Sequence, residues 1–159
     1  MSHKTDVIII GAGPVGLFAV FELGLLNLKC HLIDNLDKIG GQCSELYPEK
    51  PIYDIPAIQI CTGQELTDAL LQQIEPFEYG MTLNDEVVIV ERQSANNFFL
   101  ETSSGKKFQS KAIVIAGGVG SFQPRQLRVN NAEQFLNTSL YYRVKDSSVF
   151  RDKRLVVLG

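Results

Sequence analysis

An α/β fold, with a parallel sheet wound through βαβ units, is predicted by three features of this sequence. Val7-Ile8-Ile9-Ile10 is a continuous β-branched run, which suits a strand covered on both faces. Gly11-Ala12-Gly13-Pro14-Val15-Gly16 follows at once. Leu17 to Leu26, with Glu22 as its single charge, then reads as a largely buried helix stopped at Asn27. Lys29-Cys30-His31-Leu32-Ile33-Asp34 is a second strand ending in a carboxylate. Strand, helix and strand within about thirty residues make a βαβ unit with a right-handed crossover.

The composition fits such a domain. A chain of 159 residues, 45% hydrophobic and 21% charged, is one domain or two small ones and is long enough to bury a core. A net charge of −3 excludes the basic footprint of a nucleic-acid binder. Glu22 and the glycines break the longest apolar stretch well short of the ~20 residues of a membrane span. Val7–Ile10 is too short for a signal-peptide core, so a cytoplasmic protein is expected. Cys30, Cys43 and Cys61 are odd in number and widely spaced. That argues against a disulfide framework and against a metal site.

Residues 35–63 read as a loop-rich stretch containing Gly40-Gly41, Tyr47-Pro48, Lys50-Pro51 and Ile55-Pro56. An irregular segment of that length inside a domain points to function, and its aliphatic and aromatic content favours order. Thr62 with Glu65 fits a capping box opening a second helix, on which Leu66, Ala69, Leu70, Gln73 and Ile74 follow helical spacing. Val87–Val90 is a strand within 81–90. Residues 97–101 and 106–109 flank a Ser103-Ser104-Gly105 hairpin turn. Ala112–Ala116 reads as a third fully buried strand, ended by Gly117-Gly118. Leu155–Leu158 starts another and stops at Gly159. A buried strand with nothing after it suggests the front part of a longer protein.

Gly11-x-Gly13-x-x-Gly16, placed between a strand and a helix, is the dinucleotide fingerprint in its required setting. The first glycine makes the tight turn, the second admits a pyrophosphate, and the third lets helix and strand pack. The helix N-terminus supplies free N–H groups and a positive dipole end. Asp34, eighteen residues beyond Gly16, can accept hydrogen bonds from ribose hydroxyls and would repel a 2′-phosphate. The residues therefore point to the ADP half of FAD or NAD. Gln42, after Gly40-Gly41, offers donor and acceptor, and the Tyr47 ring could stack on a flat ligand or fill the core. Cys30 and Cys61 read as small buried apolar residues. His31 reads as a strand-face residue and His3 as a mobile terminal one. Glu45, Glu49 and Lys50 read as solvated rim charges.

Residues 7–34, Gly40-Gly41-Gln42-Cys43 and Leu46-Tyr47-Pro48-Glu49-Lys50 closely resemble the thioredoxin-reductase-like flavoproteins. Within that group the resemblance is to the type 2 ferredoxin/flavodoxin–NADP reductases. The Ala112–Gly118 strand, Phe122, Pro124-Arg125 and Asn131-Ala132-Glu133 continue it over nearly the whole chain. The resemblance implies a Rossmann-like FAD-binding domain with a three-stranded β-meander insertion, spanning residues 1–118 as its N-terminal segment. Residues 119–159 would be the crossover and the incomplete beginning of an NADPH-binding domain, with Gly159 as the first glycine of a second motif. It also implies FAD and NADP as cofactors, electron transfer between NADPH and ferredoxin or flavodoxin, and a homodimer at full length. Gly11, Gly13, Pro14 and Gly16 would surround the FAD pyrophosphate and Asp34 the adenosine ribose. Val87 would offer its backbone to the adenine, Gln42 and Tyr47 would lie along the flavin with Tyr47 stacked on it, and Phe122 would pack nearby.

Two absences narrow the chemistry. Tyr142-Arg143-Val144-Lys145 stands where thioredoxin reductases carry a redox CxxC. Tyr47-Pro48 stands where glutathione-reductase-like enzymes carry the second cysteine after Cys43. A dithiol relay needs two thiols within exchange reach, so direct passage of electrons through the flavin is expected, with no catalytic side chain. The alternatives are another FAD-linked NAD(P)H oxidoreductase, a non-catalytic FAD- or ADP-binding fragment, or an NAD domain without flavin. A bare NAD fold has no use for the Gly-Gly-Gln loop and Tyr47-Pro48.

Overall fold

The computed structural model describes residues 2–120, 126–142, 144 and 146–158. The elements run β1 (Ser2–Ile10), α1 (Pro14–Leu25), β2 (Cys30–Ile33), α2 (Gln42–Glu45), β3 (Pro51–Ile52), β4 (Cys61–Thr62), α3 (Gly63–Ile74), β5 (Tyr79–Thr82), β6 (Val87–Ser94), β7 (Asn97–Thr102) and β8 (Lys107–Ile115). Six strands form one sheet in the order β5-β2-β1-β8-β7-β6. The β5-β2-β1-β8 half is parallel, and β8-β7-β6 is an antiparallel meander. Its β8 is a single strand where the sequence suggested two. This is the expected α/β architecture. The chain divides into two compact units, Met1–Ser121 and Phe122–Gly159.

In the first unit the β-branched run of β1 is buried on both faces, because successive strand side chains point opposite ways. Val7 and Ile9 pack with Leu17, Val20, Leu32 and Ile74 under α1 and α3. Ile8 packs with Ile33, Leu100 and Phe108 on the other face. The Thr62–Glu65 capping box is present in both directions: the Glu65 amide donates to Thr62 Oγ1 at 3.1 Å and the Thr62 amide to Glu65 Oε2 at 2.7 Å. α1 begins at Pro14, three residues before the predicted start, since proline is preorganised for the first helical position. Asn27 takes a left-handed conformation just past its end.

Four expectations are corrected, those for α1, the Ala112–Ile115 half of β8, His3 and Glu45. Only one stripe of α1 is covered, by Gly16, Leu17 and Val20, while Val15, Phe18 and Leu25 are exposed. On α3, Ala69 and Gln73 face solvent, and Thr67 is buried, donating to the Gly63 carbonyl at 3.0 Å. The Ala112–Ile115 half of β8 is not fully buried. β7 pairs only with Lys107–Ser110, so among the described residues this half has β1 alone beside it. His3 is no loose terminus but a β1 residue opposite Phe108, its ring stacked on that phenyl at 5.4 Å. Glu45 is buried, because the single turn of α2 lays Ser44 and Glu45 inward; Ser44 Oγ lies 3.2 Å from Thr67 Oγ1.

The loop-rich stretch contains α2 and the small β3-β4 hairpin, yet Tyr53, Ile58 and Ile60 within it are exposed.

The second unit is held by local contacts. It has 3₁₀ turns at Ala132–Phe135 and Ser147–Phe150, and the Leu127 amide donates to the Tyr142 hydroxyl at 2.7 Å. The Tyr141 ring stands edge-on to Phe150 at 4.9 Å. Leu155–Leu158 is not a buried strand: Val156 and Val157 are 88% and 90% exposed. A strand needs a ladder partner, and the described residues of this unit offer it none. Phe122 and Gly159 lie outside the described residues.

Candidate nucleotide-binding site

The carboxyl ends of β1, β2, β5 and β8 converge on one edge of the sheet, the place where open α/β sheets take their ligands. The glycine loop leaves β1 there. The Gly11 amide donates to the Ile33 carbonyl and the Ala116 amide to the Ile10 carbonyl, both at 2.8 Å. Gly11 has φ +108°, and a Cβ on it would overlap the Ala116 carbonyl. A Cβ on Gly16 would overlap the Gly11 carbonyl, so helix and strand approach as closely as the third glycine predicts.

Gly13 differs from both. A Cβ there would meet Gly41 Cα at 3.8 Å, an ordinary contact without overlap. Gly13 is also the N-cap of α1, and no side chain caps that helix end. Its first amides are therefore available to an anion, reinforced by the helix dipole. Pro14 follows as the first helical residue.

Asp34 closes the loop from the end of β2. Its Oδ2 accepts from the Ala12 amide at 2.6 Å and its Oδ1 from the Leu36 amide at 2.9 Å. The carboxylate is nearly buried and fixed against the glycine loop, with acceptor capacity left on both oxygens. The Gly40-Gly41 turn folds onto the same loop: the Gly40 amide donates to the Ala12 carbonyl at 2.9 Å.

Gln42 opens α2, and its Oε1 accepts from the Tyr47 hydroxyl at 3.2 Å. Its Nε2 lies beside the Gly117-Gly118 turn beyond β8, 3.6 Å from where a Gly118 Cβ would stand. The Lys50 ammonium lies 5.3 Å from the Tyr47 ring centroid, a cation–π distance. Val87 begins β6 opposite Thr102, with its side chain packed against the core on the Ile8 side of the sheet.

The structure thus draws Gly11, Gly13, Pro14, Gly16 and Asp34 into one constellation. It links Gln42 to Tyr47 beside the Gly117-Gly118 turn, and it sets Val87 at the start of the meander. Two of the cysteines are disfavoured as thiolates. Cys30, Cys43 and Cys61 are free thiols. Burial pushes the Cys30 thiol up to about 11. Burial, with Cys61 nearby, also raises Cys43, so the thiolate is disfavoured. Among the described residues no cluster of His, Cys, Asp or Glu could hold a metal ion.

One residue of this region escaped sequence reasoning. Asp85, in the β5–β6 connection, is 3% exposed and gathers the hairpin tip around its carboxylate. Its partners lie 17 to 21 residues away, and an Asp before a strand carries no local sign of that role.

Comparison with known proteins agrees with this architecture. The sequence profile of the family described as pyridine nucleotide-disulphide oxidoreductase matches residues 5–159. A protein of Cupriavidus necator named ferredoxin–NADP reductase 2 is 61% identical over 157 residues, 99% of this chain and 42% of that protein. A ferredoxin–NADP reductase of a Polaromonas species is 60% identical over 98% of this chain and 43% of its own length. The chain therefore spans about two fifths of the curated relatives it matches.

Among solved structures, the thioredoxin reductase of Lactococcus lactis superposes with a TM-score of 0.65 at 24% identity, over 83% of this chain and 40% of that one. That of T. acidophilum gives 0.68 at 17% identity, over 87% and 42%. At these identities the likeness speaks for the fold. Glycine cradle, sheet order and matched profile lead to one assignment: the chain belongs to the pyridine nucleotide-disulphide oxidoreductase family.

Proposed function

We propose that this chain forms the FAD-holding front part of a ferredoxin–NADP reductase, which draws electrons from NADPH and passes them to ferredoxin or flavodoxin. The observation that carries the nucleotide reading is the N-terminus of α1 at Gly13, which no side chain caps and which lies at the carboxyl end of β1. The named relatives at about 60% identity support the choice of reaction.

The residues present fit the group. Gly11, Gly13, Pro14 and Gly16 would hold the pyrophosphate through loop and helix amides, and Asp34 would accept from the ribose hydroxyls. Val87 would meet the adenine with its backbone. Gln42 and Tyr47 would line the flavin, with Phe122 close by. When bound, the flavin supplies the link between a two-electron nicotinamide donor and a one-electron carrier. The chain's own residues bind and orient it, and none is assigned as acid or base. The raised pKa values of Cys30 and Cys43, caused by burial, support a reading without a dithiol relay.

Residues 1–118 would be the FAD segment and 119–159 the crossover into an NADPH-binding domain. The separation of two compact units near residue 121 supports that division. The full-length protein would act as a homodimer in the cytoplasm. Among the described residues no helix is long and apolar enough to cross a membrane.

The test is a visible spectrum of the intact polypeptide, followed by NADPH-driven reduction of ferredoxin, flavodoxin and a quinone. The expected outcome is an oxidised-flavin spectrum, release of FAD on denaturation, and turnover with the protein carriers. A colourless protein that ignores added FAD would overturn the nucleotide reading. A flavoprotein that reduces only quinone would overturn the choice of acceptor.

A further inference from the structure

The Asp85 carboxylate accepts from four donors. Thr102 Oγ1 donates to Oδ2 at 2.9 Å, Ser103 Oγ to Oδ1 at 3.1 Å, the Ser104 amide to Oδ1 at 3.1 Å and Ser104 Oγ to Oδ2 at 2.5 Å. The Lys106 ammonium is paired with Oδ2 at 3.3 Å. Burial by itself would raise the Asp85 pKa. The bonds from Ser104, Thr102 and Lys106 outweigh it and hold the carboxyl well below the usual carboxylate range. A carboxylate so saturated has little acceptor capacity left for a ligand. Asp34 is different: among the described residues its carboxylate accepts from two backbone amides.

The backbone of Asp85 connects the same residue to the other side of the site. Its amide donates to the Asp34 carbonyl at 3.0 Å. Asp34 in turn donates its own amide to the Thr82 carbonyl at 3.0 Å. On the meander side, Thr102, which bonds the Asp85 side chain, is the register partner of Val87. The Ser103 amide also donates to the Glu86 carbonyl at 2.8 Å. Among the described residues, Asp85 is therefore the one bonded both to Asp34 and to the strand opposite Val87.

We propose that Asp85 is a positioning residue for the adenosine end of the pocket, fixing the distance between Asp34 and the Val87 backbone by clamping the β7–β8 hairpin tip to the β5–β6 connection. This role rests on the reading of the site as an FAD site. Through its carboxylate Asp85 holds the hairpin tip, and through its amide it holds the Asp34 backbone, so the two sides of the site meet in one residue.

The test uses the intact polypeptide purified with FAD. Asp85→Ala is expected to weaken FAD binding about ten-fold and to narrow the gap between the melting temperatures of the FAD-loaded and FAD-free protein. The absorption spectrum of the bound flavin should stay unchanged, because the disturbance lies at the adenine end. Ser104→Ala removes one hydroxyl and keeps the amide bond, so it should act in the same direction by about two- to five-fold. It provides the reading if Asp85→Ala does not fold. Asp85→Asn, which keeps an acceptor, should fall between them.

If loaded and free protein lose stability equally and FAD affinity is unchanged, Asp85 is only a hairpin staple and the proposal is overturned. The FAD reading then still stands on the wild type. A wild-type protein that binds no FAD removes that reading and this role with it.

Discussion

The two halves of β8 carry compositions that run against their surroundings. Lys107-Phe108-Gln109-Ser110 has three polar residues of four, yet Phe108 and Ser110 are buried, because β1 lies on one side and β7 on the other. Ala112-Ile113-Val114-Ile115 is wholly apolar, yet Ile115 is 81% exposed. Among the described residues the second half has a ladder partner on one side only. Neighbours set burial here, and side-chain type only sets what burial is worth.

The largest test of that contrast is Phe108→Ala. The ring is fully buried and touches His3, His31 and the core of the meander, so its loss should cost about 3–5 kcal/mol in a denaturant titration. A cost under 1 kcal/mol would mean the lower half is not packed as described.

A middle-sized effect comes from His31, which lies against Phe108 with ring centroids 5.0 Å apart and its Nε2 2.8 Å from Thr82 Oγ1. Burial first, then the nearby positive groups His3 and Lys106, lowers its pKa to about 4. The folded state therefore holds a neutral ring, while the unfolded chain takes up a proton near pH 6.5. Stability from this group is complete above about pH 6.5 and is lost as the pH falls toward 4. Because solvent screens a half-buried ring, the loss should be about 1–2 kcal/mol. Stability measured from pH 7 to 4 should show this slope in the wild type and a shallower one in His31→Gln. Equal slopes would place the ring in solvent.

The smallest effect belongs to the upper half. Ile115→Ser should change the stability of the 159-residue chain by about 0.5 kcal/mol or less. A loss of 2 kcal/mol would show that something covers Ile115 and would remove the contrast.

The same contrast explains what the sequence could and could not disclose. The glycine fingerprint, Asp34 and the Thr62–Glu65 box were legible because each acts over a few residues or within one βαβ unit. Burial of Ala112–Ala116 and of α1 was overestimated, since apolar content does not say whether a neighbour exists. The Leu155–Leu158 strand failed for the same reason. The place of His3 is not legible, because position near the chain start says nothing about pairing with Phe108, more than a hundred residues on. Asp85 was missed because its partners meet only after the β7–β8 hairpin has formed. The strands around Val87–Val90, 97–101 and 106–109 and the Ser103-Ser104-Gly105 turn are legible as local signals, while their union in a meander is what the family resemblance implies.

The bond from the Ala12 amide to Asp34 has a kinetic side. It ties the glycine loop to the end of β2 as part of folding, so the loop's conformational entropy is already lost when a nucleotide arrives. A pocket prepared in this way binds without a slow ordering step, and association should follow a single phase linear in ligand concentration. Differences in affinity among variants of this loop should then lie in how fast the nucleotide leaves.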